Sequence, residues 1–271
     1  MITVLGASGF VGSNLVASLR KQGIKHQAPV RGENLKEKEL GHIIYCIGMT
    51  ADFRVKPFET VEAHVSLLSD ILQTCRFGSL TYLSSTRLYI KSKSPDRFLN
   101  EKDDIIVNAT DPSDLFAASK LTGELLALNS GRENIKIVRL SNVFGADLLS
   151  ENFITSVIRD AIKDKKVELF TTPDSAKDYI SIKDACDALI SIANLPGKEI
   201  YNLCYGVNTS NEAILNEIQK HTNAVISYSA QAKTIIFQEI SNKKLSDAIN
   251  FSVSENVIDS IPAIINAFRS S

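Results

Sequence analysis

Cysteine is sparse and scattered in this sequence. Cys46, Cys75, Cys186 and Cys204 share no CxxC spacing, and His26, His42, His64 and His221 form neither an HxxxH nor a Cys-His pair. Zinc frameworks and disulfide scaffolds are thereby excluded, no metal is expected, and the thiols read as small buried hydrophobes. Long apolar runs are also missing. The stretch "IIYCIG" at 43–48 has strand length and falls far short of a bilayer span, so no transmembrane helix is predicted. A formal net charge of -1 leaves no excess of one sign to draw the chain to nucleic acid or a membrane surface. Repeats, Gly/Ser linkers and low-complexity segments are absent, which argues against a tethered two-domain chain. The opening "MITVLGASG" enters a glycine turn without a basic leader, predicting an N-terminus that belongs to the fold and a cytoplasmic protein.

What the sequence does have is alternation. Short apolar strands ("ITVLG", "IIYCIG", "SLTYLSS", "IKIVRLSN") alternate with amphipathic helical stretches ("FVGSNLVASLRKQG", "PFETVEAHVSLLSDILQTC", "LFAASKLTGELLALNSG"). That is the βαβ signature of a parallel sheet, and it predicts an α/β fold with a doubly wound, Rossmann-like sheet. In the first helix Val11, Leu15, Val16 and Leu19 recur at helical spacing, and Gly23 stands where a C-terminal glycine ends a helix. Only "GENLKEKELG" separates Arg31 from the strand starting at His42, too few residues for a complete crossover, so one βα unit is expected to be missing. Residues 1–150, with a returning segment at 178–204, are expected to form a dinucleotide-binding domain. Residues 151–177 and 205–271 are expected to form a smaller C-terminal substrate lobe.

"TVLGASGFVGSNL" places Gly6, Gly9 and Gly12 between the first strand and the first helix, where small residues let a diphosphate reach backbone amides and the positive helix end. Ser8, Phe10 and Val11 complete that loop. At the end of the second strand "APVRGEN" supplies Arg31 and no acidic residue, so the adenosine ribose would meet a cation. This favours a 2'-phosphate and hence NADP, with NAD also possible; a solvated arginine at a strand end is the plain alternative.

Four stretches in order, "GASGFVG", "YLSSTRLY", "SDLFAASKLTGE" and "VRLSNVFG" followed by "KDYISIKDACDA", resemble the extended short-chain dehydrogenase/reductase family, in its NAD-dependent epimerase/dehydratase group that modifies nucleotide-diphosphate sugars. The resemblance covers nearly the whole chain. It implies that Ser85, with Thr86 adjacent, offers a hydroxyl to the sugar oxygen that becomes a carbonyl; a strand-end turn or helix cap is the other use of these residue types. It implies that Lys120 holds the nicotinamide ribose and acidifies a tyrosine four residues earlier, on the same helical face. In this sequence that residue is Phe116, which cannot exchange a proton. The substitution is open to three readings: an engineered trap, a binder that lost its chemistry, or a relay through Thr86, Tyr89 or water. The resemblance further assigns Ile47, Gly48, His64 and Leu140 to the cofactor, His64 standing where the family has asparagine. It assigns Asn142, Asn152, Phe153 and Lys177 to a nucleotide-sugar diphosphate.

Sugar dehydratases of the family carry an acidic pair after the active hydroxyl, whereas this sequence has Thr86 and Arg87. Dehydration is therefore disfavoured. The expected activity is reduction of a keto-sugar, with epimerisation as the alternative and non-catalytic binding of NAD(P) or a sugar nucleotide as the alternative of another class. The stretches "PFETVEAHVSLLSDIL" and "LFAASKLTGELLAL" resemble the helices that pair in family homodimers.

Overall fold

A computed structural model describes residues 1–36, 38–49, 53–147, 150 and 152–270. In chain order it contains β1 (Ile2–Leu5), α1 (Phe10–Lys21), β2 (His26–Gln27), β3 (His42–Tyr45) and α2 (Pro57–Val61). A π-helical turn (Glu62–Ser66) leads into α3 (Leu67–Thr74), then β4 (Ser79–Ser85), a 3-10 helix (Thr86–Lys91), a 3-10 turn (Pro112–Asp114), α4 (Leu115–Leu128) and β5 (Ile135–Leu140). The remainder is β6 (Asn142–Phe144), α5 (Phe153–Lys163), β7 (Lys166–Thr171), β8 (Ala176–Ser181), α6 (Ile182–Ala193), β9 (Glu199–Leu203), β10 (Asn208–Ser210), α7 (Asn211–Thr222), β11 (Val225–Lys233), α8 (Lys243–Ile249) and α9 (Val257–Arg269).

The central sheet has six parallel strands in the order β2-β1-β3-β4-β5-β9. Its inner strands are buried on both faces, as the near-continuous apolar runs require. Ile2, Val4, Ile44, Val138 and Leu140 pack against Leu15 and Leu19 of α1 and Leu189 and Ile192 of α6. Ile43, Tyr45, Leu80, Tyr82 and Ile137 pack on the opposite face against Leu68, Ile71 and Leu72 of α3 and Ala127 of α4. The sheet is thus doubly wound. Gly23, at φ +68, ends α1: its amide reaches Arg20 O and the Ile24 amide reaches Leu19 O, a Schellman closure. Beyond β2 the sheet has no further strand, and the described part of 28–41 adds none, so the expected loss of one βα unit falls on this edge.

A second apolar core joins α5, β7, α7 and α9 through Ile154, Ile158, Val167, Leu169, Ile214, Ile218, Ile261 and Ile265. The small sheets β10-β8-β6 and β11-β7 stand beside it. The chain after residue 205 serves both cores, because Leu245 of α8 and the following Phe251 pack on the α1/α6 side of the central sheet.

Candidate functional site

The strand order reverses between β2 and β3 on either side of β1, and a doubly wound sheet binds ligands in the crevice at such a switch point. The loops leaving β1 and β3 meet there. Gly6 sits at φ +86, and a Cβ on it would lie 2.9 Å from the Cys46 carbonyl carbon. Gly12 is packed harder: a Cβ would stand 2.2 Å from Gly6 O. Gly9, in contrast, has ordinary room, its nearest neighbour being Gly6 O at 3.6 Å, so its missing side chain leaves space outside the fold. It also starts α1 without a side-chain cap, and no acidic residue occupies the first turn. The amides at that helix end are therefore directed at the cleft, a fit for the diphosphate of a dinucleotide.

The cleft measures about 600 Å³ and is lined by Gly9, Phe10, Val11, Gly12, Ile47, Gly48, Ser85, Thr86, Phe116, Lys120, Leu140, Asn142, Asn152, Phe153 and Lys177, all of which the sequence singles out. Ser8 lies in an adjoining hollow beside Asp147. Gly6 shapes the loop from below. Two further expected cofactor residues stand outside this wall. Arg31 is exposed in the turn after β2, and His64 is fully buried behind Gly48.

His64 has both ring nitrogens engaged. The Met49 amide donates to its Nε2 at 3.1 Å, which leaves the proton on Nδ1 to bond Ser119 Oγ at 2.8 Å. Burial first, then the charge on Lys120, push the imidazole down to about 3. Lys120 Nζ donates to Leu83 O at 2.7 Å and faces the Tyr82 ring at 4.8 Å. Burial pushes its ammonium down to about 7, against the opposing pull of Glu124. A Cβ on Gly48 would lie 3.3 Å from Lys120 Nζ and 3.5 Å from His64 Nε2, so the three residues meet at one point of the cleft wall.

Phe116, in the first turn of α4, is 3% exposed. Its ring packs on Phe53 and on His64, each with centroids 5.4 Å apart. Ser85 Oγ accepts the Arg87 amide at 3.1 Å and so caps the 3-10 helix. The cap occupies an acceptor site and leaves the hydroxyl proton available to a ligand. Thr86 follows, 4% exposed. Tyr89 is no part of this group: its hydroxyl is committed to Asn202, Asn100 O and Arg139 in the interior.

On the other side Asn152 caps α5, its Oδ1 accepting the Thr155 amide at 2.9 Å, and Asn142 Nδ2 donates to Asp178 O at 2.9 Å. Lys177 Nζ lies over the Phe153 ring at 4.7 Å. Its ammonium makes no hydrogen bond or ion pair among the described residues, and burial together with Arg87 pushes it down to about 8. Sequence reasoning did not assign roles to Arg54, Arg87, Ser141 and Asp178, which also line the cleft. Asp178 accepts Ser141 Oγ and the Tyr205 and Gly206 amides, pinning the lobe to the sheet. Arg87, directly after "SST", was the one with a readable signal.

Solved structures share this fold over almost the whole chain. MoeE5 in complex with UDP-glucose and NAD has a TM-score of 0.84 at 18% identity, covering 99% of this chain and 98% of its own. RMD from Pseudomonas aeruginosa complexed with NADPH has a TM-score of 0.81 at 21% identity, with both chains covered completely (100%). TunA, an NAD dependent NDP-hexosamine 5,6-dehydratase, has a TM-score of 0.83 at 17% identity, covering 100% of this chain and 98% of its own. No curated protein matches the sequence. The profile of the NAD dependent epimerase/dehydratase family matches residues 28–204, well over half of the chain, and this chain belongs to that family.

Proposed function

We propose that this chain binds NADP(H) at the α1 end of the cleft and a nucleotide-diphosphate sugar at the lobe end, and that it is a keto-sugar reductase slowed by Phe116. One observation carries the reading: Ser85, Thr86 and Lys120 line one cleft with Phe116 placed a helical turn before the lysine. When bound, the nicotinamide supplies hydride. The chain's own residues bind and orient. Ser85 donates its hydroxyl proton to the sugar oxygen, Lys120 holds a ribose hydroxyl with the N–H groups that Leu83 O leaves over, and Lys177 and the α5 N-terminus hold the diphosphate. At Phe116 no proton can be given or taken, which costs ~100- to 10,000-fold in rate. Arg31 beyond β2 is the basis for preferring a 2'-phosphate.

Supply of NADPH with a panel of nucleotide 4-keto-sugars and nucleotide hexoses, with products followed by NMR, tests the reading. Phe116→Tyr is expected to raise turnover by about two to four orders of magnitude, the worth of a positioned acid/base. A second reading, a silent binder, is favoured by the aromatic packing of Phe53, His64 and Phe116, which fills the phenol's place with apolar contacts. Unchanged rates in both Phe116→Tyr and Lys120→Ala would establish it. We further propose a homodimer through the α2/α3 and α4 surface, where Phe58 is 85% and Leu125 55% exposed.

A further inference from the structure

Two guanidinium groups converge beside the Phe116 ring. Arg54 Cζ lies 4.5 Å and Arg87 Cζ 5.5 Å from the centroid of Phe53, and Phe53 stacks on Phe116. Both arginines line the cleft. Burial and the charge of Arg54 push the Arg87 guanidinium down, so the pair repel one another. The charges of Asp114 and Asp111 offset this only in part, because both carboxylates are turned to Lys91 Nζ, at 2.7 and 2.8 Å. Apart from a long contact of 3.4 Å between Arg54 Nε and Ser113 Oγ, neither guanidinium has a hydrogen bond or ion pair among the described residues. Two like charges held together with no carboxylate paired directly to them are costly, and a ligand's negative charge relieves that cost.

We infer that the sugar ring of the substrate carries a carboxylate, which Arg54 and Arg87 receive. This rests on the proposed nucleotide-sugar site and names its substrate class. Lys177 and the α5 end serve the diphosphate in the proposed site, and Arg87, though within charge range of Lys177, directly follows Thr86 and lies with Arg54 over the Phe53 ring that packs on Phe116, the end where the sugar must lie. A guanidinium fork matches a carboxylate in two parallel hydrogen bonds, and a flat ring beneath it fixes its plane. An uncharged hexose gives the pair nothing to neutralise.

Calorimetric titration tests the inference with three matched pairs: UDP-glucose and UDP-glucuronate, dTDP-glucose and dTDP-glucuronate, GDP-mannose and GDP-mannuronate, alongside UDP, dTDP and GDP. In whichever base series binds, the uronate should bind at least about tenfold tighter than its hexose, the worth of one charge-assisted hydrogen bond. In Arg87→Met that ratio should fall to about one. Arg54→Met, at an exposed position that folding does not depend on, should reduce it as well. Equal affinity for hexose and uronate overturns the inference while leaving the nucleotide-sugar site standing. So does an equal loss for nucleotide diphosphate and uronate in the variants, which would make the arginines diphosphate ligands. Failure of every nucleotide and nucleotide sugar to bind would overturn the site itself.

Discussion

Lys120 and His64 carry their titration on one shared point of the cleft wall, and the sign of its effect on stability follows. His64 falls from 6.5 to about 3 and Lys120 from 10.5 to about 7. In both cases the folded chain binds fewer protons than the unfolded chain, between about 3 and 6.5 for the histidine and between about 7 and 10.5 for the lysine. Their contribution therefore rises with pH through each window and is lost as pH falls back through it. Lys120→Met is expected to be more stable than the parent at pH 6, by a margin on the order of a few kcal/mol, and the margin should shrink toward zero by pH 10.5 in urea melts. His64→Asn should lose the acid-side slope between about 3 and 6.5. At this scale Phe116 and Lys120 were legible, because a four-residue spacing on a helix fixes which side chains are neighbours. The Arg54 and Arg87 pair was not. It depends on a loop before α2 meeting the end of β4, a contact that no local spacing encodes.

α4 shows how one element joins the cleft wall to the buried sheet. Its Gly123 lets the helix approach β4 so closely that a Cβ would stand 2.5 Å from Tyr82 Oη. Next to it Glu124, 1% exposed, binds Arg139 of β5 through two hydrogen bonds, at 2.7 and 3.1 Å, and also accepts Ser84 Oγ. Arg139 in turn donates to Tyr89 Oη at 2.6 Å. Removing one member leaves a buried charge unpaired, so Glu124→Ala should cost about 3 to 5 kcal/mol in denaturant unfolding. The double replacement Glu124→Leu with Arg139→Met should recover much of that loss. The α-helices other than α8 and the strands β1, β3, β4 and β5 were legible from periodicity, whereas α8 and the fifth long strand of the sheet, β9, were not read. The two-residue β2, the three-residue β6 and β10, the π-helical turn and β11 were not, since each is too short or too irregularly patterned to show a period, and β11, exposed along most of its length, alternates only weakly.

For the molecule as a whole, the apolar side chains left on α2, α3 and α4 set an expectation about assembly. Phe58, Val61, Leu67 and Leu125 are all exposed on elements that pack against one another. Light scattering should give twice the chain mass of 29.7 kDa, and Phe58→Asp should shift it to the single-chain mass with its fold retained. A parent of single-chain mass at micromolar concentration would refute the pairing.

The narrow edge of the sheet carries a different lesson, about time. With β2 as its outermost strand, the shelf that would support the adenosine of a dinucleotide ends early, and Arg31 stands exposed in the turn beyond it. A chemistry that returns the same hydride to the same sugar can keep one cofactor for many cycles, whereas a reduction must discard a spent cofactor after each. A short shelf is poor at retention and well matched to rapid exchange. The protein should accordingly purify without nucleotide absorbance, and stopped-flow displacement of NADPH should outpace turnover, so that what this edge gives up in grip it returns as a cofactor free to leave.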